Sequence, residues 1–318
     1  MTGERPVGGE GVGTPGAARI EAISVVIPHY GDPAHAQALI ARLRDQTDAP
    51  EIQVIVVDDA SPQPFPEVDE VEVVRRAVNG GFGAAVNSGA RAARHPHLLI
   101  LNSDLLVEPD FLAKLRREAQ PWQPAVCAPM LLGHDGATQW GGRHFPRHRH
   151  HIIEWLTPLA RFRTRLHEAV GHDTRCVEGA VVPVDWLVGA ALLVPTAEFT
   201  AVGGFDEGYF MNSEEVDLQR RLRERRIPSI FLGTVVVHHE GGGSSDSARR
   251  VRWVTQSRLR YAAKWGEHPG LLRAGLTGAS IVNLVANALR RAARRDVRPL
   301  QIFRRELAAI AHVDIEER

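Results

Sequence analysis

The sequence predicts an α/β fold in which short apolar strands alternate with amphipathic helices to build a largely parallel sheet. Three observations carry that prediction. Apolar, β-branched runs recur at 23–28, 52–57, 71–74 and 98–101. Helical patterns separate them, at 34–46 with Leu39, Ile40 and Leu43 on one face, and at 84–94. Short polar clusters, Asp58-Asp59-Ala60-Ser61 and Asn102-Ser103-Asp104, follow two of the strands directly.

The first strand, Ile23-Ser24-Val25-Val26-Ile27-Pro28, is stopped by its proline. The second and fourth end in the acidic clusters. Ligands of open α/β sheets bind beyond the carboxyl ends of the strands, so these two clusters converge on one ligand. Helix capping explains either cluster alone, but the pair in this order less easily. Asn79-Gly80-Gly81-Phe82-Gly83 is a glycine-rich turn. It is not a dinucleotide fingerprint, because Val86 stands where the third glycine belongs. Its glycines permit close backbone approach to a ligand, and Asn87 lies one helical turn on.

Residues 133–183 contain Arg143, His144, Arg147, His148, Arg149, His150 and His151. This tract reads as a mobile basic loop near a phosphate-bearing acceptor, in preference to a metal site. A strand or strand pair follows at 184–194, with Trp186 and Gly189, and then the loop Gly203-Gly204-Phe205-Asp206-Glu207. A helix over 214–226 opens with Glu214, Glu215 and Asp217. A strand over 229–237 leads to His238, His239 and a Gly/Ser loop at 241–245. Everything beyond residue 248 is helical and Arg-rich.

Composition bounds the class. A chain of 318 residues suffices for one large α/β domain with an appendage, or for two small domains. Hydrophobic residues at 44% support a packed core and argue against general disorder. Cys127 and Cys176 form neither a disulfide framework nor a zinc-finger spacing, which fits a reducing cytoplasm. The glycine-rich start reads as a flexible tail over 1–19, ahead of a catalytic domain over 20–248 and a helical extension over 249–318. No apolar run spans a membrane. The nearest, 271–289, is interrupted by Arg273, Asn283 and Asn287 and reads as a buried or interfacial helix.

Net charge is zero but uneven. From residue 249 onward, 15 Arg/Lys stand against 6 Asp/Glu, whereas residues 1–248 carry 23 against 32. The C-terminal part therefore faces something anionic, a solvated Arg-rich surface being the plainer alternative. Mixed with Trp253 and apolar residues, these arginines suit an anionic leaflet.

The chemistry follows from residue types. Asp104 offers a hard oxygen ligand suited to Mg²⁺ or Mn²⁺, which bridges substrate phosphates. Asp58 or Asp59 can accept a base N–H or ribose hydroxyls. Glu214, Glu215 and Asp217 suit a helix N-terminus electrostatically. One of them can equally deprotonate an acceptor hydroxyl, and crowding raises their pKa values toward neutrality. His238 and His239 reach the same rim.

In this order the motifs resemble family 2 glycosyltransferases of bacterial envelope synthesis. The matching pieces are Ser24-Val25-Val26-Ile27-Pro28 with Tyr30, Val57-Asp58-Asp59-Ala60-Ser61, and Asn79-Gly80-Gly81-Phe82-Gly83 with Asn87 and Gly89. They continue with Leu101-Asn102-Ser103-Asp104, Gly189-Ala190, Gly203-Gly204-Phe205-Asp206-Glu207, Phe210-Met211 with Glu214-Glu215-Val216-Asp217-Leu218, and the His238 loop. Within the family the chain looks most like the rhamnosyltransferase branch acting on N-acetylglucosaminyl-diphospho-decaprenol. The resemblance implies a GT-A fold, a Rossmann-like mixed sheet flanked by helices, with the Arg-rich helices appended. It implies an inverting, metal-dependent transfer of L-rhamnose from dTDP-rhamnose to a lipid-linked glycan acceptor.

Carried over, Pro28, Tyr30, Asp58, Asp59, Asn79, Gly81, Asn87 and Ser103 would hold the nucleotide-sugar. Asp104 with His238 or His239 would hold Mg²⁺ or Mn²⁺. Glu215, or Glu214, would be the base, and Trp186, Gly189 and Asp217 would shape the acceptor side. Asn102 replaces the first Asp of the family's DxD motif, and Glu215 stands where Asp is usual. The implied setting is cytoplasmic, peripheral at the inner face of the plasma membrane, with no nucleic-acid partner. A UDP-hexose donor and a non-catalytic nucleotide-sugar-binding protein remain as alternatives.

Overall fold

The computed structural model describes residues 19–239, 247–293 and 295–311. Residues 1–18 of the tail expected over 1–19, and the Gly/Ser loop at 241–245, lie outside the described residues.

The chain begins with β1 (Ala22–His29), α1 (Ala34–Arg44), β2 (Glu51–Asp58), β3 (Val71–Arg75), α2 (Phe82–Ala92) and β4 (His97–Leu101). Next come β5 (Leu105–Leu106), α3 (Phe111–Ala119), β6 (Val126–Leu132), β7 (Gly142–Arg143) and α4 (His148–Trp155). They lead to β8 (Val181–Val184), β9 (Trp186–Leu187), β10 (Ala191–Pro195), α5 (Thr196–Ala201), α6 (Glu214–Glu224) and β11 (Ser229–His239). Three helices close the chain: α7 (Ser247–Lys264), α8 (Pro269–Ala292) and α9 (Pro299–Ala311).

The main sheet runs β3-β2-β1-β4-β10-β6-β11-β5, with β8 added against β11. The first four strands are parallel. β10 is antiparallel to both β4 and β6, so the sheet is mixed, as in the GT-A architecture. Alternation along each strand sends neighbouring side chains to opposite faces. Val25 and Ile27 of β1 join Leu39, Ile40 and Leu43 of α1 and Phe111, Leu112 and Leu115 of α3. Val26 points the other way, into a core with Ala85 and Val86 of α2 and Leu218 and Leu222 of α6. α2 lies close on the sheet because residue 89 is glycine: a Cβ there would lie 2.5 Å from Val26 Cγ1.

The middle segment is not the mobile loop expected from its basic residues. β7 pairs with β9, and His150 on α4 is buried. α4 docks on α8, where Trp155 Nε1 donates to Ser280 Oγ at 2.9 Å and Asn283 Nδ2 donates to the Trp155 carbonyl at 2.9 Å. His148, Ile152 and Trp155 of this segment meet the C-terminal part of the chain, which a local reading of charge does not show.

Candidate active site

β4 ends at Leu101, and the chain turns through Asn102-Ser103-Asp104 into β5. The Asn102 N–H donates to the Ala190 carbonyl at 2.8 Å, tying this turn to the start of β10. From the other side β11 pairs with β5, placing His239 opposite Leu105 and His238 opposite Leu106. Successive strand residues face opposite ways, so one histidine of the two turns to Asp104. It is His239, whose Nε2 lies 3.3 Å from Asp104 Oδ1 and 3.4 Å from Asn102 Nδ2.

Gln139 orients that ring. Its Nε2 donates to the His239 carbonyl at 3.0 Å, which fixes the amide. Its Oε1 is thereby left to accept from His239 Nδ1–H at 2.7 Å. With Nδ1 anchored, Nε2 faces Asp104. A carboxylate and an oriented imidazole nitrogen fit a divalent cation such as Mn²⁺ or Mg²⁺. Burial pushes the Asp104 carboxyl up, but the hydrogen bond and charge of His239 outweigh it and hold the group below its ordinary range.

The acidic helix start is built by strained backbone. Asn212 and Ser213, just before α6, both adopt left-handed conformations, with φ of 68° and 70°. Such residues cost about 1–3 kcal/mol each and persist where their surroundings hold them. Here the Phe210 carbonyl accepts the Phe82 N–H at 3.3 Å. A Cβ on Gly81, itself at φ 84°, would lie 1.9 Å from that oxygen. The close approach that the sequence assigns to a ligand at Gly81 is made by Phe210 instead.

α6 separates its first two acids. Glu214 is 3% exposed, and its Oε2 has no hydrogen-bond partner. Burial, and then the charge of Glu215, push its carboxyl well above the ordinary range. Glu215 is partly exposed, and its Oε2 is also unpartnered. Burial pushes it up too, while Arg143 pulls against the shift. A Cβ on Gly189 would lie 3.4 Å from Glu215 Cβ, so the glycine backbone packs against the stem of that side chain. Gly189 adjoins Ala190, which holds Asn102. The chain thus links the neighbour of Glu215 to the turn that carries Asp104.

Other expected ligand contacts are occupied by the protein. Asp58 accepts from the Ser61 and Phe65 N–H groups at 2.8 and 2.9 Å and pairs with Arg75. Asp59 accepts from Gly80 and Gly81 N–H at 3.1 and 2.8 Å and pairs with Arg76. Asn79 Oδ1 also accepts from Gly81 N–H, at 3.2 Å. The Asn87 amide spans the Phe205 N–H and carbonyl, both at 2.9 Å, and Glu207. Asp217 is fully buried. It binds Arg221 at 2.9 Å, Lys264 at 2.8 Å and Trp265 Nε1 at 3.0 Å, which ties α6 to α7. Trp186 Nε1 donates to the His144 carbonyl at 2.9 Å, and its ring stacks with Arg143. Tyr30 is exposed at the end of β1, and Pro28 and Ser103 are partly exposed.

Among the described residues, His144, Glu168 and Asp173 also bring ligand atoms within 4.8 Å of one another, a spacing that could hold a metal ion. Their atoms are already engaged. Glu168 Oε2 meets His144 Nε2 at 3.1 Å, and its Oε1 accepts from Thr174 N–H at 2.9 Å. Asp173 takes the Arg175 guanidinium at 2.6 and 2.9 Å. That arginine supplies the charge a cation would bring, so the Asp104–His239 pair is the better donor set.

Two residues escape a sequence reading. Gln139 carries no motif, and its role rests on a contact with a strand far along the chain. Arg143 stands out only as one cation of the basic tract, yet its charge acts on Glu215 and Glu154.

Comparison with known proteins bears on the family and the fold. The family described as "Glycosyl transferase family 2" matches residues 24–182. An N-acetylglucosaminyl-diphospho-decaprenol L-rhamnosyltransferase of Mycobacterium tuberculosis is 27% identical over 87% of this chain and 97% of its own length. A validoxylamine A glucosyltransferase of Streptomyces hygroscopicus subsp. limoneus is also 27% identical, over 84% of this chain and 61% of its own. Among solved structures, the mannosyltransferase PcManGT from Pyrobaculum calidifontis, in complex with GDP-Man and Mn²⁺, superposes with a TM-score of 0.56. It shares 15% identity over 92% of this chain and 86% of that one, a likeness of fold.

Proposed function

The chain belongs to glycosyl transferase family 2, and from that premise we propose a metal-dependent, inverting transfer of a sugar from a nucleotide-diphospho-sugar to a hydroxyl of a lipid-linked glycan. The observation that carries the reading is one run of chain, Gly189-Ala190, that packs against Glu215, whose Oε2 is unpartnered, and holds the turn of the Asp104–His239 pair.

Asp104 and His239 would hold the divalent cation, which when bound would offset the charge of the departing diphosphate. Glu215 takes the proton of the acceptor hydroxyl, whose oxygen then attacks the anomeric carbon opposite the leaving group. Gly189 packs against the stem of Glu215, and Arg143 favours the anionic form of Glu215 before the proton moves. Trp186 walls the acceptor side. Asp58, Asp59 and Asn87 act through the loops they hold, while Tyr30, Pro28 and Ser103 line the donor side. Glu214 is closed off by its burial. Positioning the two substrates together supplies much of the acceleration.

For the donor, the near full-length match to the L-rhamnosyltransferase favours dTDP-L-rhamnose. The equal identity to a glucosyltransferase supports a UDP-hexose as the second reading. No helix among the described residues is long and apolar enough to cross a membrane. Contact with a lipid-linked acceptor at the inner face of the plasma membrane we assign to the Arg-rich helices.

Calorimetric titration with dTDP-rhamnose, UDP-sugars and GDP-sugars, with and without Mn²⁺, tests the reading. Metal-dependent, selective binding of dTDP-rhamnose is expected. Preference for a UDP-sugar would replace the donor, and no binding by folded protein would remove the transferase assignment.

A further inference from the structure

α8 turns an apolar stripe outward. Leu271, Ile281, Val282, Val285 and Leu289 are each 51–67% exposed, and they recur at helical spacing along one face. The stripe is about 27 Å long at 1.5 Å per residue. It is not a misplaced core, because the opposite face buries Leu272, Leu276, Ser280, Asn283 and Asn287. Exposed apolar side chains gathered on one helix face mark a contact site.

Beyond the C-terminal end of the stripe, at the turn from α8 to α9, the chain is cationic. Arg291, Arg295 and Arg298, with Asp296 and Leu300, line an open cavity of about 390 Å³. Among the described residues none of the three guanidinium groups has an ion-pair partner, and Asp296 is the one carboxylate in the lining. α8 itself carries no acidic residue. Leu300 is exposed in the cavity lining.

We propose that the α8 stripe and the arginine-lined cavity form one docking surface for an anionic lipid bilayer. The stripe enters the boundary between headgroups and acyl chains, and the three arginines take lipid phosphates. Charge selects this occupant: a second copy docked through its own α8 would offer apolar surface but no carboxylate from that helix for the arginines. The inference deepens the membrane contact of the proposed function and is independent of the donor and of the chemistry at Glu215.

The full chain should co-sediment with vesicles of phosphatidylcholine mixed with phosphatidylglycerol, and far less with phosphatidylcholine alone. The combined Arg291→Gln, Arg295→Gln and Arg298→Gln variant should lose on the order of a hundredfold in partitioning to the anionic vesicles. The Val285→Asp, Leu289→Asp variant should lose binding to both. Thermal unfolding and nucleotide-sugar titration of the same variants should match the parent, so a failed donor assignment remains separable from a failed docking surface. Equal partitioning of parent and arginine variant would overturn the proposal. So would a stable dimer that the Asp substitutions dissociate while vesicle binding persists.

Discussion

His239 presents Nε2 to Asp104 at 3.3 Å while Gln139 holds its Nδ1 at 2.7 Å. A ligand ring oriented by a partner on its other nitrogen typically owes that partner about 10–100-fold in metal affinity. Gln139→Leu should therefore weaken Mn²⁺ binding by about that factor, measured by electron paramagnetic resonance titration with a nucleoside diphosphate present. His239→Ala should weaken it further, and His238→Ala much less. Equal effects from the two histidines would contradict the strand register that separates them.

Glu215 and Glu214 differ in exposure. Glu215→Gln should lower kcat by about 10²–10⁴-fold with donor binding retained. Glu214→Gln should retain most activity. Burial raises the Glu215 carboxyl above its ordinary value of 4.5. The base form is then gained as pH rises, so the acid limb of the rate profile should lie above that of an ordinary carboxylate. Full activity in Glu215→Gln would move the base elsewhere.

Glu214 also makes stability depend on pH. Its folded pKa is raised well above 4.5. The folded state therefore holds the proton more tightly, and the stability it contributes is present below 4.5 and lost as pH rises through the folded value. Glu214→Gln cannot ionise. It should be more stable than the parent at mildly alkaline pH, by about 1 kcal/mol, and gain little in acid. Urea unfolding across pH measures the difference.

Gly81 combines φ of 84° with a Phe210 oxygen where a Cβ would stand. Gly81→Ala should cost about 2–3 kcal/mol in urea unfolding. It should also lower kcat more than donor affinity, because the displaced Phe210 segment leads into the Asn212–Ser213 turn that aims Glu215. A variant of unchanged stability would show that the two loops need no such contact.

Asp217 binds three donors from two helices with no exposure to solvent. Asp217→Asn leaves Arg221 and Lys264 short of a buried anion, and should cost about 3 kcal/mol. An unaltered unfolding midpoint would argue that α7 docks without this ion cluster.

Much of this was legible in sequence because its signals are local. The apolar runs of β1, β2 and β4 and the helical faces of α1 and α2 follow from periodicities of two and about 3.6 residues, and α6 lies where its helix was expected. Asp104 and the acids of α6 stood out for a related reason: strand ends and helix starts are where ligands and acids belong. The middle segment failed this logic. Its arginines and histidines read as a solvated loop, whereas α4 buries His150 within the segment and sets Trp155 against a helix more than a hundred residues on.

The sequence by itself determined the alternating α/β architecture, the order of its acidic clusters and the charge of its C-terminal arm, because each depends on neighbours a few residues apart. Tertiary structure alone decided that His239 and not His238 meets Asp104, that Gln139 orients it, that Glu214 is buried while Glu215 is partly exposed, and that Asp58, Asp59, Asn87 and Asp217 bind protein groups. Those outcomes depend on strand register, on which face of a helix is covered and on which donors arrive from distant segments, and none of these is encoded in any short stretch of chain.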